Sequence, residues 1–353
     1  MKSSESNDFF VYVLQNENHL ANAIHDSHCS ERRKIFVLLD EFSGLNLASQ
    51  MPEGVNALVL YLSNPFSASP QHGSRIKKLL TQVGSLRRVK SQVRLFFLDK
   101  KISKVIFFND SALTKVIVQE LKLKDKELRA ELWIDTLVSF RRKNFWQFFL
   151  VFVEPFILRV GLIGIVPSVF GTTRLADRVL VPHKASRHVL AARGQAIKKL
   201  FVEPTPRQRH MGEVADNWVP SAPQRVLVVA GAWLWHGRAD VERWQDEFLQ
   251  EVVALTFCKP NLPIRIRSHP RQSPKSRSLG GSTIQSGITD FETDLLESSH
   301  VVSLRSSALF DAYLLGKQCY VYEKNAPRVT SNEFIDSLPR LASVNDILAL
   351  VDS

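Results

Sequence analysis

The chain of 353 residues has only three cysteines, Cys29, Cys258 and Cys319, odd in number and widely separated. That spacing excludes a disulfide framework and the common zinc modules, and a reducing cytoplasm is the expected setting. No Asp-x-Asp triplet occurs, and no histidine pair at i, i+4 stands with an acid. Neither a G-x-G-x-x-G nor a Walker sequence is present. The expectation is therefore no resident cofactor, no metal, and charge stabilisation by protein donors alone. The first thirty residues lack a basic start followed by a long apolar run, so no secretory signal is expected. Internal repeats are absent too. No uncharged apolar run approaches the roughly 18 to 20 residues of a membrane-spanning helix.

What the chain has in excess is positive charge, 46 Lys and Arg against 35 Asp and Glu, a formal net charge of +11. Such a surplus suits nucleic acid or an anionic membrane leaflet. No helix-turn-helix, zinc-finger or RNP-type pattern appears, so nucleic acid is not expected as a partner. The membrane is favoured by the tract from Arg141 to Gly171, RRKNFWQFFLVFVEPFILRVGLIGIVPSVFG, the most hydrophobic in the protein. Glu154, Pro155 and Arg159 interrupt it. Basic residues beside Phe145, Trp146, Phe148 and Phe149 suit an interfacial anchor. A buried helix and loop of the N-terminal core is the alternative.

At this length, and with 44% apolar residues, the chain can fill two cores. Before the hydrophobic tract, FFVYVLQ (9–15), KIFVLLD (34–40), ALVLYLS (57–63), VRLFFLD (93–99) and KVIFFND (104–110) read as strands. Helix-like stretches run from Ser74 to Val83 and from Ser111 to Leu121, the alternation a mostly parallel sheet requires. LADRVLVP (175–182) reads as the last strand of this half. The expected domains are residues 1–201, a linker at 202–224 rich in proline and polar residues, and residues 225–353 opening with RVLVVAGAW.

Two segments near the C-terminus carry the functional signal. IRIRSHPR (264–271) alternates Ile264 and Ile266 with Arg265 and Arg267, then ends in Ser268, His269, Pro270 and Arg271. Proline cannot continue a ladder and biases His269 toward extended geometry, which fixes the imidazole. In VVSLRSSALFDAYLLGK (301–317), Val301, Val302 and Leu304 read as a strand and Ser306 and Ser307 as a turn. Ala308 to Gly316 read as a helix with Leu309, Phe310, Tyr313 and Leu314 available for packing. Serines at a helix start offer hydroxyls and backbone N–H groups to an anion. Gly231, with Trp233, Trp235, His236 and Gly237 behind it, lies in a loop that faces the ligand in doubly wound folds. An aromatic there suits stacking on a base or sugar, and His236 is a candidate donor.

The His269-Pro270 and Ser306-Ser307 motifs resemble those of the bacterial sialyltransferases and polysialyltransferases over about residues 100 to 325. CMP-Kdo and CDP-glycerol transferases share parts of the pattern. The resemblance implies an α/β chain of GT-B architecture, two Rossmann-like domains facing a central cleft, the first binding the acceptor and the second the nucleotide sugar. It also implies metal-independent, inverting transfer of sialic acid or a related nonulosonic acid from a CMP-sugar donor to a capsule or lipopolysaccharide acceptor. On this resemblance His269, with Pro270, contacts the CMP phosphate, Ser306 and Ser307 hold the phosphate or cytidine end, and Gly231 and Arg267 complete the donor site. The family's acidic motif, two acids and a glycine after a strand, supplies the general base. Its best match is ELWIDTLVSF (131–140), with Asp135 as base, although Thr136 and Leu137 stand where the second acid and glycine are expected. A turn-capping role for Asp135 is the alternative, and with it a catalytically degenerate homologue that binds nucleotide or membrane. LLDEFSGLN (38–46), with Asp40, Glu41 and Gly44, ranks second. The expected location is cytoplasmic, peripheral on the inner face of the plasma membrane.

Overall fold

The computed structural model describes residues 8–28, 33–40, 57–63, 75–138, 149, 153–154, 156–157, 171–219, 225–233, 238–269, 291–324 and 332–351. Cys29, Glu41, Gly44, residues 234–237, Pro270, Arg271 and most of the 141–171 tract lie outside these. So does the side chain of Asp40. The chain divides into two units, Met1–Val138 with Arg142–Arg207, and Ser139–Arg141 with Gln208–Ser353.

The first unit holds strands β1 (Phe9–Leu14), β2 (Arg33–Asp40), β3 (Ala57–Ser63), β4 (Ile102–Phe107), β5 (Arg129–Trp133), β6 (Arg178–Val181) and β7 (Leu200–Val202). They form one parallel sheet in the order β3-β2-β1-β4-β5-β6-β7. Helices α1 (Glu17–His28), α2 (Arg75–Phe96), α3 (Ala112–Lys124) and α4 (Lys184–Ala192) accompany them, and α5 (Pro206–Asn217) starts at the end of this unit and runs into the second. The strands are apolar at consecutive positions because both sheet faces are covered. Val11, Val13, Ile35, Val37 and Phe107 enter one core, while Tyr12, Leu14, Phe36, Leu38 and Ile106 enter the other. A strand's two-residue period separates the sets.

The second unit has strands β8 (Arg225–Val229), β9 (Ile264–Arg267), β10 (Ser298–Ser303), β11 (Gln318–Tyr322) and β12 (Arg340–Leu341). They are again parallel, in the order β12-β11-β10-β8-β9. Its helices are α6 (Ala239–Cys258), α7 (Phe291–Leu296), α8 (Ala308–Leu314), α9 (Glu333–Ser337) and α10 (Val344–Val351). Val226, Val228, Ile264, Ile266 and Val302 meet Phe248 and Val252 of α6 and Ile347 of α10 in one core.

Three readings of the sequence are corrected. VRLFFLD (93–99) is not a strand: α2 runs on to Phe96 and a turn follows. Val93 and Phe97, four apart, both face the core, which is helical spacing. LADRVLVP does not end the first sheet, because the three-residue β7 pairs with β6 beyond it. The segment 202–224 is not a plain linker, since α5 occupies Pro206–Asn217 and the unit boundary falls between Arg207 and Gln208. Proline at a first helical position is favourable because its missing N–H has no intrahelical partner to lose.

Cys258 is exposed, whereas Cys319 is buried beside the Leu309 carbonyl (3.2 Å) and its thiol is pushed up to about 12 by burial. In a Cys29→Ser variant at neutral pH, a thiol reagent should modify Cys258 promptly and Cys319 only after unfolding. Mass-spectrometric counting of labels with and without denaturant checks this, and two rapid labels in the native state would contradict the buried placement.

Candidate functional site

In the second unit the sheet order reverses between β8 and β10, so the loops leaving their carboxyl ends part there. Such a switch point is where open parallel sheets receive ligands. Gly231 follows β8, Ser306 and Ser307 follow β10, and His269 follows β9 on the other side of β8. Three of the motifs read from sequence thus emerge at neighbouring strand ends. Ser303 ties two of these ends together, donating from Oγ to the Val229 carbonyl (2.7 Å).

The turn after β10 is held open by Arg305, whose φ of 68° lies in the left-handed region. A non-glycine residue there is uncommon and requires compensation. Here the guanidinium pairs with Glu323 and with Asp336 (3.2 Å). Ser306 accepts at its hydroxyl from the Ala308 N–H (3.2 Å) and at its carbonyl from the Leu309 N–H (3.2 Å). Ser306 thus closes the first turn of α8. Ser307 is exposed and makes no side-chain capping bond. Leu309 and Phe310 are buried as expected, but Tyr313 is 52% exposed, its ring resting on Phe334 at 5.1 Å.

The loop after β8 is fixed by Gln245 of α6, which has no exposed surface. Its Oε1 accepts from the Gly231 N–H (2.7 Å) and the Trp233 indole N–H (3.1 Å), and its Nε2 donates to the Gly231 carbonyl (3.0 Å). The Trp233 indole folds back over Gly231, and a Cβ at that glycine would lie 2.8 Å from Trp233 Nε1. Close packing of the loop therefore requires glycine at this position. The partly buried Trp233 ring packs against the domain core and its N–H is bound to Gln245, while Trp235, the other aromatic read for stacking, lies outside the described residues.

Along β9, Ile264 and Ile266 face the core while Arg265 and Arg267 face α7. There Asp294, 1% exposed, takes Arg265 at 2.6 Å and also pairs with Arg267, whose guanidinium lies over the Phe291 ring at 5.3 Å. Arg267 is thus a neutralised structural cation in this state. His269 is half-buried. Between them Ser268 is 7% exposed, and its hydroxyl is a buried polar atom without a hydrogen-bond partner among the described residues.

In the first unit Asp135 follows β5 and is 7% exposed. A second acid, not singled out in the sequence, occupies the equivalent place after the neighbouring β4. Asp110 is 1% exposed and accepts from the Gly171 N–H at 2.9 Å. Lys115 stands 4.0 Å from it and pairs with Glu154, making a buried cluster of charges. Burial pushes the Asp110 carboxyl above the usual carboxylate range, with Lys115 opposing and Glu154 reinforcing. The order of this sheet reverses between β1 and β4. There Gln15 Nε2 donates to Ser111 Oγ (3.0 Å), and Asn109 Oδ1 accepts from Thr114 Oγ1 (2.9 Å). The available signal was the triplet Asn109-Asp110-Ser111 directly after an apolar strand, the same signal that singled out Asp135.

No protein-family model matches the chain, and no curated protein matches it. Among solved structures it is similar to UDP-GlcNAc 2-epimerase from Methanocaldococcus jannaschii (TM-score 0.54, 10% identity, covering 98% of this chain and 92% of that one). It is similar over 98% of its length to CalG4, the calicheamicin glycosyltransferase (TM-score 0.52, 10% identity, 84% of that chain). It is likewise similar to the wall teichoic acid polymerase TagF (TM-score 0.52, 10% identity, 98% of this chain and 79% of that one). These likenesses span both parallel-sheet units. The fold is GT-B. In GT-B terms both candidate clusters lie at carboxyl strand ends, one on each Rossmann-like unit.

Substituting Gly231→Ala should displace the Trp233 indole and cost about 1 to 3 kcal/mol, the usual range for overpacking. Denaturant unfolding would read the cost and tryptophan fluorescence the displacement; an unchanged spectrum with unchanged stability would contradict the packing. For Asp110 the sign follows from its raised native pKa. The native state holds a proton that the unfolded chain releases, so this group's contribution to stability falls as pH rises from its ordinary 3.8. Asp110→Asn keeps an acceptor for Gly171, so its melting temperature should equal or exceed that of the wild type at neutral pH. The advantage should shrink toward pH 4. Calorimetric melts across that range check it, and a variant less stable at neutral pH than at acid pH, relative to wild type, would reverse the sign.

Proposed function

We propose that the protein is an inverting, metal-independent glycosyltransferase that moves sialic acid, or a related nonulosonic acid, from a CMP-sugar donor to a capsule or lipopolysaccharide acceptor. The observation that carries the reading is the convergence of the Gly231, His269 and Ser306-Ser307 loops on adjacent strand ends at the switch point of the second sheet. His269, with Pro270 after it, and the two serines would hold the donor phosphate, each charge-assisted hydrogen bond contributing about 1.5 to 3 kcal/mol. Arg267 would reach the phosphate only by exchanging Asp294 for it. Gly231 shapes the loop through Gln245 and Trp233.

In the transfer step the acceptor oxygen attacks the anomeric carbon as the bond to the CMP phosphate breaks. Asp135 receives the hydroxyl proton, and CMP leaves with the electron pair on its phosphate. Direct displacement inverts the anomeric centre. Asp135 is 7% exposed, which shields its carboxylate from bulk water as a general base requires. The first unit would bind the acceptor and the second the donor. No helix among the described residues is long and apolar enough to cross a membrane, and a peripheral place on the inner face of the plasma membrane suits the proposed acceptor.

A second reading keeps the fold and changes the donor to another pyrimidine nucleotide, CMP-Kdo or CDP-glycerol among them. The likeness to a TagF structure soaked with CDPG and to an S. aureus MnaA-UDP structure favours testing it.

Calorimetric titration of CMP, CDP and UDP into the wild type and a His269→Ala variant separates the readings. The expected result is a preference for CMP that weakens roughly tenfold to a hundredfold in the variant, the loss of one charge-assisted bond. Preference for CDP or UDP would select a diphosphate donor of the second reading, transfer assays with CMP-sialic acid and CMP-Kdo would divide the CMP donors, and no binding of any at millimolar ligand would remove the transferase reading. With the donor known, Asp135→Asn should lower turnover about 10²- to 10⁴-fold with nucleotide affinity unchanged. Unchanged turnover would exclude Asp135 as the base.

A further inference from the structure

Helix α2 contains seven Lys and Arg and no acidic residue over its 22 positions. Uncompensated like charge on one helix is costly unless something anionic lies against it. Its partner within the fold accounts for part of the charge. Glu120 of α3, 4% exposed, takes Arg94 at 2.6 Å and Lys90 at 3.5 Å. Arg87 and Arg88 are exposed and make no ion pair among the described residues. A groove of about 380 Å³ runs along this stripe, lined by Arg87, Lys90, Ser91, Arg94 and Leu95.

Three leucines stand out of the same surface. Leu95 is 70% exposed, Leu98 73% and Leu123 64%. They are held together by the seam between the helix ends. Arg94, next to Leu95, reaches Glu120, one turn before Leu123. Lys124, next to Leu123, donates to the carbonyls of Phe97 and of Lys100, which bracket Leu98. Three exposed leucines beside a row of cations suit a bilayer, which accepts both. Lipid phosphates meet the cations, the upper acyl region takes the leucines, and the long basic stems lie along the boundary. Nucleic acid would gain nothing from the leucines.

The surface lies at the amino ends of the strands. The seam residues Phe97 to Lys100 lead directly into β4, which starts at Ile102, while Asp110 and Asp135 follow the opposite ends of β4 and β5. A bilayer can therefore cover the seam without obstructing the carboxyl edge. Ile157 packs against the cluster of Leu86 of α2 and Val116 of α3, and the neighbouring Phe156 is 69% exposed, so this part of the hydrophobic tract abuts the seam.

We propose that the α2–α3 seam, with Arg87, Arg88, Leu95, Leu98 and Leu123, is a docking surface for an anionic phospholipid bilayer. The inference is independent of the transferase reading, because bilayer binding requires neither nucleotide nor turnover.

The test is flotation of the full chain with phosphatidylcholine vesicles and with vesicles containing phosphatidylglycerol. Two double variants, Arg87→Glu with Arg88→Glu and Leu95→Ser with Leu98→Ser, are compared after circular dichroism melts show an intact fold. All four positions are exposed, so the fold should tolerate them. The wild type should float only with the anionic vesicles. Each cation near an anionic surface favours binding roughly fivefold, so removing two should weaken it about 25-fold, and reversing them more. The serine variant should also bind more weakly. Unchanged flotation of both variants would overturn the proposal and assign any binding to another part of the chain. Equally, loss of duplex DNA binding in the glutamate variant, with the serine variant unaffected and no flotation of the wild type, would identify a nucleic-acid surface in its place.

Discussion

A purely parallel sheet imposes a constraint on everything attached to it. Each strand must be followed by a crossover over one face before the next can begin, so all carboxyl ends share one edge and all amino ends the other. Both sheets of this chain are purely parallel. The faces are closed by helices, and polar residues that need solvent or a ligand have only the two edges to occupy. Asp110, Asp135, Gly231, His269, Ser306 and Ser307 all follow strands, and so stand at carboxyl edges. The exposed leucines of α2 and α3 lie where those helices end, at the opposite edge of the first sheet, with Arg87 and Arg88 about two turns back along α2. The separation of polar chemistry from the basic surface follows from topology before any side chain is considered.

The loops at the carboxyl edge of the second unit are held by buried amide and charge pairs that face inward. Gln245 satisfies both backbone groups of Gly231 and the Trp233 indole in a site without solvent. Asp294 gathers two arginines from β9, and Arg305 answers Glu323 and Asp336. Removing the buried Asp294 would strand charge on β9, at a cost of about 3 to 5 kcal/mol. These groups consume donors that the sequence alone offers to a phosphate. Of the polar groups on β9 and its end, the arginines are committed to Asp294, while the Ser268 hydroxyl is buried with no partner among the described residues.

Most strands were legible because burial on both faces selects continuous β-branched and aromatic runs, as in FFVYVL, KIFVLLD and RVLVV. The helical VRLF of α2 was not, because a short apolar run looks the same in a strand and at a helix end, and only the preceding turns of α2 decide between them. β7 could not be read from LFV, a three-residue edge strand with two exposed side chains that exists through its pairing with β6. The helix α5 was hidden by polarity: Arg207 and Gln208 are buried without being apolar, so burial there left no hydrophobic period.

That the candidate residues stand at strand ends was legible, and their orientation less so. His269 and the serine pair were found because a strand end followed by proline, or by a helix start, constrains the backbone locally. Which way a side chain turns depends on partners far away in sequence, and Arg267 and Trp233 show it. Arg267 turns to Asp294, 27 residues on, and Trp233 to Gln245 on the next helix. Asp110 was passed over for the complementary reason. Its strand signal is so strong that the run was read through to its last residue, and the acid was counted with the strand. Yet a carboxylate that accepts from Gly171, 61 residues away, and shares a buried lysine with Glu154 is held by the tertiary structure alone. A strand end therefore specifies where chemistry can sit, and the long-range pairs decide which of its residues are left to perform it.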